Sequence, residues 1–270
     1  MPLARAVDRV DTTVYTSMTS NNLTSNVRRC LTLFGLLALW EASARIGWLD
    51  PFYLPPPLMV GRVMVTLAAG GELWPHLGAT GIAAFAGLLV GLGLGISLGF
   101  AAALSPMVAE LLEPVMILLN AIPRVILAPL FVIWLGIGLA SKLALATVLV
   151  AVLIFFSVYN GIQEVDQRLV ERIRTLGGGR RILIREVYIP SVTAWVMGNF
   201  KVAVGFAFTG AVVGEFVASS QGLGYLLQFA QSTYNAALTI ALVVIIMTFV
   251  LLLFTIAERL ERRLLRWRYL

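Results

Sequence analysis

Few side chains in this sequence have the types and spacing that catalysis needs. The chain has one cysteine, Cys30, and one histidine, His76, so it can form neither an intramolecular disulfide nor a His/Cys metal site. The glycines between Gly91 and Gly95 lie inside an apolar run and not between a strand and a helix, which argues against a nucleotide-binding loop. The P-loop pattern Gly-x-x-x-x-Gly-Lys-[Ser/Thr] does not occur. We therefore expect a chain that is not an enzyme and binds no metal or cofactor itself.

Charged side chains inside apolar segments are costly and usually face a bundle interior or an aqueous cavity. Lys201 and Glu215 share one apolar segment but lie about 21 Å apart along a straight helix, too far to pair directly. Lys201 is expected at a pathway or gate, whereas Glu215 either lines the pathway or reaches the membrane surface. Arg124 follows Pro123, so it contacts an anionic solute or satisfies carbonyls that the proline leaves free. Aromatic residues nearby either line the cavity or pack, and the pathway candidates are Pro123, Arg124, Phe131, Trp134, Lys201, Phe208 and Glu215.

The composition indicates that a bilayer is the solvent of this chain. Of its 270 residues, 59% are hydrophobic and 13% are charged, which is too apolar for a water-soluble surface. The apolar residues fall into segments of about 20 residues, the length that spans a hydrocarbon core. We predict an all-α integral membrane protein with about six transmembrane helices, at 29–46, 77–104, 111–139, 142–159, 191–218 and 237–257.

Prolines and glycines mark two of these helices. Three prolines in the segment 111–139 predict a kinked or broken helix, which a bilayer tolerates only where protein or a polar cavity covers the freed backbone groups. This helix therefore either lines the pathway or is a bent packing helix. In the segment 77–104, glycine recurs at every fourth residue and forms a smooth strip for close helix packing, against this chain or a second copy. The residues are Pro114, Pro123 and Pro129 in the first segment, and Gly87, Gly91, Gly95 and Gly99 in the second.

Basic residues predict the orientation of the chain. They concentrate before the first helix, in the loop 160–190 and in the C-terminal tail, so the positive-inside rule places both termini and this loop in the cytoplasm. The net charge of +6 is thus interpreted as topological and not as a nucleic-acid surface. Residues 1–26 are predicted to be a polar N-terminal extension, and 27–270 a transmembrane domain. A cleaved signal peptide is the alternative for the N-terminus, but 1–26 is long and polar for one.

The loop 160–190 has helical spacing on both sides of three glycines. Residues 166–176 are predicted to form a helix with Leu169, Ile173 and Leu176 on one face. After the glycines at 177–179, a second amphipathic helix is predicted to end at Pro190. A helix, a sharp turn and a helix at a membrane surface would project a rigid knob into a partner protein. A basic connector held by anionic lipid would explain the arginines but not the glycine turn.

This loop resembles the signature of the permease subunits of ABC importers with the type I fold. That signature is Glu-Ala-Ala, three residues, Gly, nine residues and Ile-x-Leu-Pro. Glu171, Gly177 and Pro190 stand at the matching spacing, with Val187 and Ile189 in the aliphatic places. The resemblance is to the group that handles sulfonates, taurine, nitrate and similar small solutes.

The resemblance covers about 220 residues in all. The loop departs from the signature where Arg172 and Ile173 replace the two alanines. Further matching segments are 54–57, 71–76, 121–138 and 222–225, together with Lys201 and Glu215.

The resemblance implies a multi-pass inner-membrane subunit that works with a second permease copy as a homodimer, two cytoplasmic ATPase subunits and an external solute-binding protein. ATP and Mg²⁺ would be bound by the ATPase partner, and the permease would contact lipid but no nucleic acid. The residues implied to couple to the ATPase are Glu171, Arg172, Arg174, Thr175, Leu176, Gly177, Gly178 and Pro190.

The expected function is therefore an ATP-driven import pathway for a small solute, most simply a sulfonate, taurine, nitrate or a similar oxyanion. Two alternatives stay open. An ion-driven secondary transporter would use Lys201 and Glu215, and the same permease role could serve a neutral vitamin-precursor heterocycle.

Overall fold

The computed structural model describes residues 27–264, and all regular secondary structure in that range is helical, as predicted. The predicted extension 1–26 and residues 265–270 of the tail lie outside the described residues. The helices are α1 (27–46), α2 (Pro57–Ala69), α3 (Leu73–Leu104), α4 (Pro106–Ala121), α5 (Arg124–Leu135), α6 (Leu139–Gln163), α7 (Gln167–Thr175), α8 (Arg180–Leu183), α9 (Ile189–Val217), α10 (Leu223–Ser232) and α11 (Ala236–Leu264), with a π-helical segment, Ile184–Tyr188, between α8 and α9.

Within residues 27–264, four helical segments are long and apolar enough to cross a membrane, or five if the bent pair of α4 and α5 counts as one span. The sequence predicts about six, and the difference lies in α1. This helix carries Arg28, Arg29, Glu41 and Arg45, which makes it poorly suited to hydrocarbon. The four segments are Leu73–Leu104, Leu139–Gln163, Arg180–Val217 and Ala236–Arg263.

The described part of the chain divides into two compact units, with the boundary between Val63 and Met64. In the first unit, Arg45 Nε lies 2.7 Å from Glu41 Oε1, so these two residues form an ion pair within α1. The other oxygen of Glu41 accepts the backbone N–H of Leu58 at 3.1 Å. One carboxylate thus connects α1 to the first turn of α2.

In the second unit α6 is the central helix, because 61% of its most apolar window is buried, against 22–44% for the other three spans. The glycine strip of α3 packs against it. A Cβ built on any of these glycines would lie only 2.5–2.7 Å from a Cβ of α6, so side chains there would force the helices apart. The contacts advance by four residues along both helices, which therefore run parallel. The pairs are Gly87 with Ala146, Gly91 with Val150, Gly95 with Ile154, and Gly99 with Val158.

A second glycine contact joins α9 to α6, at the same residue, Ala146, that Gly87 of α3 contacts. A Cβ on Gly210 would lie 2.6 Å from the Cα of Ala146, and one on Gly214 would lie 3.1 Å from the Cα of Lys142. The order of these contacts is reversed, so α9 runs antiparallel to α6. The helix that packs on the glycine strip of α3 is therefore α6 of the same chain. Glycines of both α3 and α9 contact α6 closely.

The predicted helix 111–139 is broken, as its prolines indicate. The chain leaves helical geometry at Ile122 and Pro123, and the helices on either side are bent by 110°. Pro114 and Pro129 instead lie inside α4 and α5. Only the middle proline therefore ends a helix.

The helix after Gly179 does not end at Pro190, so that prediction was wrong. Residues Arg180–Val217 form one continuous helical span through α8, the π-helical segment and α9. Proline lacks an N–H and crowds the carbonyl one turn earlier. The wider π turn at Ile184–Tyr188 places its i→i+5 bonds just before this position, and the proline is accommodated without a break.

Candidate functional site

The segment 164–179 joins α6 to α8, contains α7 and ends in a glycine turn. Gly177 has φ +81°, and its N–H donates to the carbonyl of Arg174 at 3.0 Å. The N–H of Gly178 donates to the carbonyl of Ile173 at 2.8 Å, which completes a Schellman motif. Side chains with a Cβ rarely adopt the φ of Gly177, and a Cβ on Gly178 would collide with Ile173. The conformation of this turn therefore requires glycine at both positions.

The two faces of α7 differ from the predicted ones. Its inner face packs into a small apolar cluster of Val165, Val170, Ile173, Leu183, Val187 and Tyr188. Leu169 is 48% exposed and Leu176 is 80% exposed, so these two leucines point away from the cluster. The predicted face of Leu169, Ile173 and Leu176 was wrong because the helix is anchored through Val170, which is 4% exposed. The exposed leucines instead form an apolar outer surface.

Polar groups hold α7 in place at both ends. Asp166 caps its N-terminus by accepting the N–H of Arg168 at 2.9 Å. The hydroxyl of Thr175 donates to the carbonyl of Glu171 at 2.9 Å, so it is used within the helix. The Arg180 guanidinium donates to the carbonyl of Leu104 at 3.3 Å, which connects the segment to the end of α3. The side chains of Glu171, Arg172 and Arg174 stay exposed beside the two leucines.

A buried carboxylate lies at the other end of α6, about 30 Å from α7 by helical rise. Glu215 is 1% exposed. Its Oε2 accepts the hydroxyl of Thr80 at 2.7 Å and the N–H of Gly224 at 3.1 Å. Its Oε1 lies 3.4 Å from the ammonium group of Lys142, which is 5% exposed. Glu215 therefore does not reach the surface, which was one of its two predicted positions.

The segment between α9 and α10 closes this network. Lys142 also donates to the carbonyl of Gln221 at 2.7 Å, and the N–H of Leu223 donates to the hydroxyl of Thr80 at 2.8 Å. The N–H of Gly222 donates to Nδ1 of His76 at 3.0 Å. We call Thr80, Lys142, Glu215 and the backbone of 221–224 the Glu215 network. A Cβ on Gly222 or Gly224 would collide with Glu215, so these glycines let the backbone approach the carboxylate.

The other predicted pathway residues lie in separate places. Lys201 is half-buried, 3.8 Å from Glu258 of α11 and over the ring of Phe254 at 5.6 Å. Phe208 is buried in the core, with its ring centroid 5.6 Å from that of Phe249. Both lysines of the described spans, Lys142 and Lys201, have a carboxylate partner.

The broken helix carries the remaining candidates. Phe131 and Trp134 meet edge to face with centroids 6.0 Å apart, and Trp134 is exposed. Pro123 forms the break, and Arg124 begins α5, although its side chain lies outside the described part of the structure. The candidates Phe131, Trp134 and Lys201 are thus not brought together with Glu215.

Thr80, His76 and Lys142 were not predicted from the sequence as members of a site. For Lys142 the sequence does carry a signal, because a lysine at the start of an apolar helix is expected to pair with a carboxylate elsewhere in the bundle. Thr80 carries no such signal, because it is 135 residues from Glu215 in sequence.

Comparison with known proteins finds similar transport proteins that match most of the chain. Residues 87–266 match the family described as binding-protein-dependent transport system inner membrane component. A riboflavin transport system permease of Chloroflexus aurantiacus is 33% identical over 88% of each chain. A taurine transport system permease of Escherichia coli is 30% identical, over 87% of this chain and 88% of that protein.

A solved structure shares the fold. The inward-facing MetNI methionine ABC transporter matches 71% of this chain and 93% of its own with a TM-score of 0.55 at 24% identity. Four observations support the same family. They are the helices long enough to span a bilayer, the broken helix, the loop signature and the match over residues 87–266. The chain belongs to the binding-protein-dependent transport system inner membrane components, the permease subunits of ABC importers with the type I fold.

Proposed function

We propose that this permease couples to a cytoplasmic ATPase through α7 and forms the pathway for a small solute. The observation that carries the coupling role is the outer surface of α7, where Leu169 and Leu176 are exposed next to Glu171. Exposed apolar side chains on a well-anchored helix are typical of a protein interface. The arginines around them favour the cytoplasmic side for this surface and for both termini.

Movement of α7 would pass directly into the spanning helices. Val165 and Val170 pack on Leu183, and the chain continues from Leu183 without a break into α9. On the other side, residues 164–166 connect α7 to the buried helix α6. Closure of the ATPase subunits would push α7 and swing α6 and α9 as rigid bodies, which would alternate the opening of the pathway.

The proposed complex contains two copies of this permease, two ATPase subunits that bind ATP and Mg²⁺, and an external solute-binding protein. This chain would supply no catalytic group. An ion-driven carrier, the alternative mechanism, would need Lys201 and Glu215 as a working pair, and each has its own partner instead.

The coupling role is tested by Gly177→Glu in the transporter assembled with its ATPase. Glutamate at φ +81° would disrupt the turn, so we expect the inserted protein to lose solute uptake and ATPase binding. Gly179→Glu is the matched control, because Gly179 has φ −82° and open space around it. Normal uptake by Gly177→Glu would refute the coupling role.

For the solute we propose a small sulfonate, taurine, nitrate or similar oxyanion, supported by the sulfonate and taurine permeases among the relatives. A neutral heterocycle is the second candidate. It is favoured by the carboxylate partners of Lys142 and Lys201, which neutralise both cations, and by the riboflavin and formylaminopyrimidine permeases among the relatives. Calorimetric titration of the partner binding protein with taurine, nitrate and riboflavin would distinguish them. Binding of riboflavin alone would overturn the oxyanion.

A further inference from the structure

The Glu215 network joins four helices at the end of the bundle remote from α7. Thr80 belongs to α3, Lys142 to α6 and Glu215 to α9, while the N–H groups of Leu223 and Gly224 begin α10. Each carboxylate oxygen of Glu215 has at least one donor, and the Lys142 ammonium group has two acceptors. The charges of the network are therefore satisfied within the network itself.

We propose that the Glu215 network is a positioning device that fixes α10 to α3, α6 and α9, so that a solute-loaded binding protein seated on α10 accelerates ATP hydrolysis by the ATPase subunits docked at α7. Thr80, Lys142 and Glu215 are positioning residues in this mechanism and do not contact the solute. The inference rests on the proposed function, because it requires the ATPase and the binding protein.

A buried ion pair is a poor way to gain stability alone. Removing a carboxylate and an ammonium group from water costs more than a hydrophobic pair of similar volume, whereas loss of one partner leaves an uncompensated buried charge. The pair does, however, fix the position of the backbone that it contacts. Lys142 holds the carbonyl of Gln221, and Glu215 holds the N–H of Gly224, so both ends of the turn before α10 are fixed by opposite charges.

The helices of the network lead to α7 without a flexible joint. α6 is continuous from Lys142 to Gln163, at the start of the segment 164–179. α9 is continuous with the π-helical segment and α8, at the end of that segment. The glycine contacts of α3 and α9 hold both helices against α6. Closely packed helices move as units and do not deform gradually, so displacement at one end reaches the other.

The surface of α10 suits a protein partner. Gln228, Phe229 and Gln231 are exposed on it, and Tyr234 and Asn235 follow directly. Aromatic and uncharged polar side chains of this kind are typical of protein interfaces. The buried residues Leu223, Gly224 and Ala230 form the opposite face of the same helix.

The experiment measures ATP hydrolysis by the complete transporter in lipid nanodiscs, without binding protein and with saturating solute-loaded binding protein. The variants are Glu215→Gln, Lys142→Met and Thr80→Val, which removes one hydroxyl and leaves both charges in place. Arg262→Gln is the matched control, because it breaks an ion pair of 2.7 Å with Glu258 that is exposed.

We expect the stimulated rate of the three network variants to fall about tenfold, within the usual range of coupling between sites, while their basal rate stays within about twofold of the wild type. The control should be stimulated normally. Faster hydrogen exchange at Leu223 and Gly224 in the variants would show that α10 has lost its position.

Three results would overturn the inference. The first is normal stimulation of Thr80→Val and Glu215→Gln. The second is an equal loss of basal and stimulated rates in an assembled transporter, and the third is failure of all three variants to assemble. Each of these results indicates a merely structural network. Failure of the proposed function would look different, because the wild-type transporter itself would then show no stimulated hydrolysis.

Discussion

Gly95 of α3 and Ile154 of α6 approach so closely that a Cβ on Gly95 would lie 2.7 Å from the Cβ of Ile154. The neighbouring contact atom is the backbone carbonyl of Ala151, at 2.8 Å, so the partner helix cannot give way by rotating one side chain. This contact between two spanning helices leads to the first prediction.

Gly95→Leu should destabilise the permease, because the added side chain would separate α3 from the central helix. Overpacking of this kind costs about 1–3 kcal/mol or more, and the apparent Tm in detergent should fall by several degrees. Gly93→Leu is the matched control, since nothing lies within 4 Å of a Cβ at that position. Equal Tm values for the two variants would contradict the packing described for α3 and α6.

Leu176→Asp and Val170→Asp should separate docking from folding. Leu176 is 80% exposed, so its replacement should abolish co-purification of the ATPase without lowering the Tm. Val170 is 4% exposed, and an aspartate there would place a charge in the apolar cluster under α7. That variant should lose both stability and ATPase binding, as measured by thermal denaturation and pull-down. Retention of the ATPase by Leu176→Asp would remove this leucine from the interface.

Lys201→Met tests whether Lys201 lines the pathway. Its ion pair with Glu258 is 44% exposed on both sides, and Glu258 keeps a closer partner in Arg262. Loss of such a pair costs at most about 1 kcal/mol, so the Tm should hardly change. Uptake should nevertheless fall about tenfold, which corresponds to about 1.4 kcal/mol, and Lys201→Arg should keep most of it. Full uptake by Lys201→Met would exclude a pathway role.

Local features of this chain were predictable from sequence because they depend on neighbouring residues. The turn at Gly177 follows from a glycine three residues beyond an arginine-rich helical turn, and the break at Pro123 follows from proline chemistry. The continuous helix through Pro190 was not predictable, since a proline alone does not tell whether the preceding turn will widen.

Contacts between residues far apart in the sequence were not predictable, for a different physical reason. The glycine strip of α3 is smooth towards any helix, so its pattern carries no information about which helix fills it. Glu215 is charged and costly to bury, but 73 residues separate it from Lys142 and 135 from Thr80. Only the packing of α3, α6 and α9 brings these three side chains together.

The parallel alignment of α3 and α6 also has an evolutionary consequence. Each glycine of the strip is paired with one residue of α6, from Gly87 with Ala146 to Gly99 with Val158, and the step is the same along both helices. A larger residue in the strip could be accepted only if its own partner became smaller. Related permeases should therefore show compensating changes at these pairs, and such co-variation would fix the register of the two helices in relatives whose structures are unknown.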